Sequence, residues 1–325
     1  MRAKLLLFFS LVFLLYNGAK AQKKKKNKSE ILKTVSLEAF ELRNVGPAFL
    51  SGRIADIKIH PLNKNIWYVA VGSGGVWKTE NAGTTWDPVF DDETSYSTGC
   101  ISIDSSNPEI IWVGTGENVG GRHVGYGDGV YKSLNGGNTW KNMGLLNSEH
   151  ISEIIIHPNN SDIVWVAAQG PLWTKGGDRG LYKTKDGGKT WKKTLGNNEW
   201  TGVTDIMIDP RNPDIIYAAT WDRHRTVAAL IDGGPGTAIY RSDDGGDNWV
   251  ILKNGLPNNP DTNNDGIIDD DDSPLKNMGK IGLAISPQNP DVVYAAIELD
   301  RSTGGVYRSE NRGGSWTKMS NAVSG

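Results

Sequence analysis

Between residues 51 and 320 the chain alternates apolar and polar positions in short runs, the period of a half-buried β-strand. "RIADIKIHP", "SEIIIHP" and "VTDIMIDP" show the pattern. A turn follows, Pro-Asn in most copies. A short apolar run comes next: "IWYVAV", "IIWVGT", "IVWVAA", "IIYAAT" and "VVYAAI". A third run ends in an aromatic, as in "GVW" or "GLY". Last comes a nine-residue phrase that closes on Trp and leads into a final short strand. The five copies are "KTENAGTTW", "KSLNGGNTW", "KTKDGGKTW", "RSDDGGDNW" and "RSENRGGSW". Four short strands separated by turn residues predict one antiparallel blade. Repetition at about 50 residues predicts an all-β propeller.

The spacing is stricter than the lettering. Pro61, Ser105, Pro158, Pro210 and Pro287 each lie 7 residues before the second-strand aromatics Tyr68, Trp112, Trp165, Tyr217 and Tyr294. The third-strand aromatics Trp77, Tyr131, Tyr182, Tyr240 and Tyr307 each lie 9 before the closing Trp86, Trp140, Trp191, Trp249 and Trp316. Those turns lie on one face of the ring. On the other face, the stretch from Gly72, Gly116, Gln169, Trp221 and Glu298 to the next third-strand aromatic takes 5, 15, 13, 19 and 9 residues. Loops that change length on a fixed frame are where binding and catalysis usually sit. Blades are expected near 51–96, 97–149, 150–200, 201–257 and 278–325, with an insertion at 258–277.

The nine-residue phrase resembles the Asp-box, S/T-x-D-x-G-x-x-W. Asp186 and Asp244 hold its acidic position, and Asn81, Asn135 and Asn311 replace it elsewhere. Asx side chains cap their own turn and glycines supply positive φ, so the phrase reads as structural, with its tryptophans packing between blades. The five boxes and the "YVAVGSGGVWKT" style of strand pair resemble the sortilin N-terminal propeller and bacterial BNR-repeat glycosyl hydrolases. That resemblance implies a propeller and leaves the activity open. Xyloglucanase-type hydrolases resemble the chain around "RTDxGGAY", whose Asp is the catalytic base. The matching stretch here is "AVGSGGVW", which puts Gly72 at that position. Sialidases need an arginine cluster and a Tyr nucleophile. Arg53 in "SGRIAD" falls in the right region, without the "RIP" pattern.

Composition narrows the setting. Basic and acidic residues nearly balance at −2, which argues against a nucleic-acid partner. Residues 1–21 have a basic start, the apolar run "LLLFFSLVFLLY" and a small-x-small end at Ala21, the pattern of a cleaved secretory signal. The run is too short to span a bilayer. Residues 22–35, with "QKKKKNK", read as a basic linker, and 36–325 as the propeller. Only Cys100 is present, so no intramolecular disulfide is expected. A secreted, periplasmic or cell-surface location follows. "FELRNVGP" resembles a fourth strand, which implies an incomplete ring with further blades C-terminal to this chain.

The variable loops carry the candidate chemistry. "GENVGGRHVGYGDG" brings Glu117, Arg122, His123, Tyr126 and Asp128. "QGPLWTKGGDRG" brings Trp173 and Arg179, and "TWDRHRTVAALIDGGPG" brings Trp221, Asp222, Arg223, His224, Arg225 and Asp232. "ELDRSTGG" brings Glu298, Asp300 and Arg301. Aromatics beside acids and arginines suit recognition of a glycan or a polypeptide. The expected ligand contacts are Arg122, Tyr126, Trp173, Trp221, Arg223 and Arg225; the alternative is loop-to-loop packing. A hydrolase would draw on Glu117, Asp222 or Glu298. "DTNNDGIIDDDD" matches a calcium loop, with Asp261, Asn263, Asp265, the Ile267 carbonyl, Asp269 and Asp272 as ligands. His60 and His157 recur in register before turn prolines and read as structural.

Overall fold

A computed structural model describes residues 52–196, 198–258, 277–299 and 304–320. They form five antiparallel sheets, each with four blade strands in sequence order and the fourth with one strand more. Blade 1 comprises Ile54–Ile59, Trp67–Val71, Gly75–Thr79 and Asp87–Pro88. Blade 2 comprises Thr98–Ile103, Ile111–Thr115, Val130–Ser133 and Lys141–Asn142. Blade 3 comprises Ile151–His157, Asn160–Ala168, Gly180–Thr184 and Lys192–Leu195. Blade 4 comprises Thr201–Asp209, Asn212–Arg225, Ile239–Ser242 and Val250–Leu252. Blade 5 comprises Ile281–Ile285, Val293–Ile297, Gly305–Ser309 and Thr317–Lys318. The first strands of successive blades stand side by side, as in a propeller.

Blade 4 departs from the sequence reading in one respect. The run "TWDRHR" continues the second strand instead of starting a loop. It pairs with a fifth strand, Leu230–Asp232, through Arg223↔Asp232, His224↔Ile231 and Arg225↔Leu230. The turn is closed by Thr226, whose N–H donates to the Ala229 carbonyl at 2.8 Å and whose hydroxyl accepts from the Ala229 N–H at 3.0 Å.

Four apolar cores fill the seams between consecutive blades. Tyr68, Ile101 and Tyr131 pack in the first seam, and Tyr217, Val293 and Trp316 in the fourth. Second-strand aromatics of blades 1, 3 and 4 tie their blade to the next box. Tyr68 donates to the Gly136 carbonyl at 2.9 Å, and Trp165 Nε1 to Gly245 at 3.0 Å. The box itself works as a turn cap. Asn81 Oδ1 accepts from the Thr85 N–H at 2.8 Å and Asp186 Oδ1 from the Thr190 N–H at 2.9 Å. Hydrogen bonds from Thr190 and Thr184 hold the Asp186 carboxyl well below the usual range, so it stays ionised inside its turn. The two turn histidines do a similar job: His60 Nδ1 accepts from the Leu62 and Asn63 N–H groups, and His157 Nδ1 from Asn159.

Candidate functional site on the loop face

On the face opposite the boxes, the stretch that follows the second strand of blade 2 is held by groups from every blade. Arg53 of blade 1 forms an ion pair with the Glu117 carboxylate. Asn118 Nδ2 donates to the Gly99 carbonyl of its own blade at 3.2 Å. From blade 3, His150 Nδ1 lies 2.8 Å from the Glu117 carbonyl, and Gln169 Nε2 donates to the Asn118 carbonyl at 3.4 Å. From blade 4, Arg223 Nη1 donates to the Val119 carbonyl at 3.0 Å, and Arg225 Nε to the Gly120 carbonyl at 2.8 Å. From blade 5, Lys280 Nζ reaches the Asn118 carbonyl at 2.9 Å. Residues 117–120 are therefore a crosspiece pinned over the ends of the first strands.

Glu117 is the chemically distinctive member. It is 2 % exposed, and its Oε2 has no hydrogen-bond partner among the described residues. Its guanidinium partner reaches solvent, the Arg53 side chain being 51 % exposed. A buried carboxylate is normally satisfied or neutralised. Here one oxygen has its counter-ion and the other is buried without a donor. Glu117 also lies against Gly72: a Cβ at that glycine would come within 2.6 Å of Glu117 Oε1. A side chain at Gly72 would thus need the space that Glu117 of the second blade occupies.

Beneath the crosspiece the interior is cationic. Arg179 and Arg223 are buried, and among the described residues neither has a carboxylate within ion-pair range. Their protons go to carbonyls instead. Arg179 Nη1 donates to Gln169 and Trp200, both at 3.0 Å, and Arg223 Nη2 donates to Gly170 at 3.2 Å. Burial lowers Arg223 to about 9, with Arg179 adding repulsion. Burial, then Arg223 and Arg179, lower His150 to about 3, so its imidazole is neutral.

The anticipated contacts divide accordingly. Trp221 is 2 % exposed, with Arg223 and Lys280 over its ring at 5.1 and 5.4 Å. It and Arg223 are packing and clamp, not free faces, because the extended strand of blade 4 carries them inward. Arg225 is half-buried on Gly120. Tyr126 is 56 % exposed, its ring 6.0 Å from His150; Arg122 is exposed and Trp173 half-buried. Asp222 is fixed by Thr201 and by the Gly236 N–H at 2.8 Å, which leaves it a structural role. Glu298 is exposed, and its carboxyl is raised by partial burial and by Asp232. Asp261, Asn263, Asp265, Ile267, Asp269 and Asp272, like Asp300 and Arg301, lie outside the described residues. Sequence reasoning passed over His150, Gln169 and Lys280, which carry no motif and meet residues 117–120 only through the fold. Arg53 and Glu117 both stand out in the sequence, but their pairing does not.

Five boxed blades define an Asp-box repeat β-propeller. Within that class the chain resembles the sortilin propeller and BNR-repeat glycosyl hydrolases. The family model described as "Sortilin, neurotensin receptor 3" matches residues 128–273. A xyloglucanase of Paenibacillus sp. is 25 % identical over 320 residues, 90 % of this chain and 28 % of that protein. An oligoxyloglucan-reducing end-specific xyloglucanase of Emericella nidulans is 23 % identical over 247 residues, 68 % of this chain and 27 % of its own. The chain thus spans about a quarter of the length of these curated relatives. Among solved structures, a GH74 enzyme of Niastella koreensis superposes with a TM-score of 0.57 at 19 % identity, covering 82 % of this chain and 38 % of that one. Among the described residues, no helix is long and apolar enough to cross a membrane.

Proposed function

We propose that the chain is the glycan-binding propeller of a secreted or surface-exposed glycoside hydrolase of xyloglucanase type. Its loop face receives the polysaccharide. Glu117 is the carboxylate that works there, in the place Gly72 leaves vacant. The carrying observation is that placement: a buried carboxylate anchored by Arg53, with Oε2 buried and unpartnered, filling the space beside Gly72. An ionised carboxylate held by a guanidinium can accept a proton from a sugar hydroxyl or from an attacking water. Inverting cleavage needs a second carboxylate roughly 6.5–9.5 Å away. In the xyloglucanase pattern that acid comes from an opposing wall, so this chain alone binds and does not cut. Arg122, Tyr126 and Trp173 supply the accessible contacts, while Trp221, Arg223 and Arg225 position the crosspiece.

The test is retardation of the purified chain in gels containing xyloglucan, with reducing-sugar release measured in parallel. Retardation that weakens about tenfold in Glu117→Gln, without sugar release, is the expected result. A folded chain that migrates unretarded in xyloglucan and in unsubstituted β-glucan gels overturns the glycan reading. Similarity to the sortilin model across residues 128–273 favours a second reading, in which the same face holds a polypeptide. Capture of peptides by a chain that ignores every glycan identifies it.

A further inference from the structure

Of the four seams between blades, two carry a tryptophan-to-carbonyl bond and two lack it. In the first two, the closing tryptophan donates to the carbonyl three residues past the preceding blade's closing tryptophan. Trp140 Nε1 reaches the Val89 carbonyl at 2.6 Å, and Trp191 Nε1 reaches Met143 at 2.8 Å. The acceptor in register for Trp249 is Thr194, and no bond forms: Trp249 Nε1 is a buried donor without a partner. The Thr194 hydroxyl, buried on the other side of the seam, is unpartnered too. Trp316 shares the missing bond, but that ring is 5 % exposed inside the fourth core.

A neighbouring difference separates this seam from the first. In the first seam Phe90, four residues past Trp86, wedges between Tyr131 and Trp140, with ring centroids 5.1 and 5.3 Å away. The residue in register in the third seam is Leu195, four past Trp191. Tyr240 and Trp249 repeat the Tyr131 and Trp140 pair, but no aromatic wedge separates them. A cavity of about 330 Å³ remains, lined by Thr194, Leu195, Gly196, Asn198, Tyr240 and Trp249 among others. The Tyr240 hydroxyl makes no hydrogen bond among the described residues.

The lining dictates the ligand class. Its one charged residue, Asp247, is already paired with Lys183 at 3.2 Å and Lys185 at 3.1 Å. No unpaired carboxylate lines the cavity to select a metal. Two unpartnered side-chain groups, a free phenol and two aromatic rings suit a neutral, hydroxyl-rich ring. We propose that the seam between blades 3 and 4 is a second ligand site, taking a single pyranose unit of a glycan. This rests on the glycan reading above but uses none of the Glu117 machinery. A chain bound at both places would be held at two points on one propeller, raising retention without a new contact at either.

The experiment is calorimetry on the 325-residue chain with a xyloglucan heptasaccharide as probe. Two variants address the seam. Leu195→Phe restores the wedge that Phe90 forms elsewhere, and Thr194→Val removes one hydroxyl at constant shape. Two binding sites are expected in the parent. Leu195→Phe should abolish one with the melting temperature held or raised. Thr194→Val should weaken the same site about tenfold. Glu117→Gln should affect only the other site. If both seam variants bind with unchanged stoichiometry and affinity, or if the parent shows one site that Glu117→Gln removes, the cavity holds water alone and the proposal is overturned. If Glu117→Gln changes nothing while Leu195→Phe abolishes binding, the seam site stands and the loop-face reading falls.

Discussion

Tyr217 donates its hydroxyl hydrogen to the Arg312 carbonyl at 3.1 Å, across the seam between blades 4 and 5. It is the last full instance of a series that includes Tyr68 to Gly136 and Trp165 to Gly245. Tyr294 stands at the same register on blade 5, is 36 % exposed, and finds no such acceptor among the described residues. Val306 on the same face is 37 % exposed. At the other end of the array, Ile54, Ile57 and Ile59 are 60, 50 and 53 % exposed. There Trp86 Nε1 turns back to its own Gly83 carbonyl. Tyr294 is therefore expected to dock a further boxed blade and donate to that blade's box carbonyl. In a longer form of the protein Tyr294→Phe should lower the melting temperature, while leaving the 325-residue chain unchanged. A longer form with Tyr294 still in solvent contradicts this.

Truncating two tryptophans should now hurt for the same reason. Trp191 closes the second seam through its bond to Met143 and an edge contact with Trp112 at 6.1 Å. Trp221 is more firmly interior, beneath Arg223 and Lys280. Trp221→Ala should cost about 3–5 kcal/mol in urea unfolding, the range for large buried aromatics, and Trp191→Ala, at a partly buried ring, somewhat less. Trp173→Ala, at a half-buried loop position, should cost far less and act on glycan retention. A Trp221→Ala protein with parental stability would mean that the blade 4 hairpin is not packed as described.

The fold was legible because its signals are local and periodic. A strand, a turn and a box fall within one window, and the spacing of 7 and 9 residues repeats whatever the letters. The site was less legible because its contacts join distant positions. Lys280 and Asn118 are 162 residues apart, and Arg225 and Gly120 are 105. Loop assignment also misled. "TWDRHR" reads as polar and variable, but it continues a strand whose alternate side chains turn inward, so Arg223 is spent on carbonyls. Gly72 shows the opposite case. Its identity was visible in the sequence, but that Glu117 fills the space beside it was not.

Two half-hidden titrations should oppose each other. Burial pushes the Glu153 carboxyl up to about 7; Lys58 pulls it down, and Asp56 and Asp205 add to the rise. The folded state then holds this proton more tightly than the unfolded state does. Its contribution to stability is full below the ordinary 4.5 and is lost as pH rises through about 7. His150 runs the other way. Its folded value of about 3 against 6.5 gives stability above 6.5 that is lost as pH falls. In Glu153→Gln that slope is gone, while those of His150 and of Asp205, raised to about 6 by burial, remain. Measured by urea unfolding, the variant should gain on the parent with rising pH, by an amount on the order of a few kcal/mol. A flat difference across that range is the contrary result.

The insertion at 258–277 should bind calcium. Asp261, Asn263 and Asp265 take alternate positions before Gly266, with Asp269 and Asp272 at the ninth and twelfth places. Such spacing brings side-chain oxygens and the Ile267 carbonyl round one hard cation. Without a cation, four carboxylates would have to converge against their own repulsion, so apo convergence is disfavoured. Affinity in the micromolar to millimolar range, roughly 10⁻⁶–10⁻³ M, is expected of a loop rich in acidic ligands outside a helical frame. Calorimetry should show heat on adding calcium, and Asp261→Ala with Asp265→Ala should remove it. Chelator should speed proteolysis within 258–277 while the melting transition stays in place, because Val250–Leu252 and Ile281–Ile285 lie in separate sheets that pack through their own seam. No calcium heat and an unchanged digestion pattern with chelator would reduce the insertion to a solvated acidic loop.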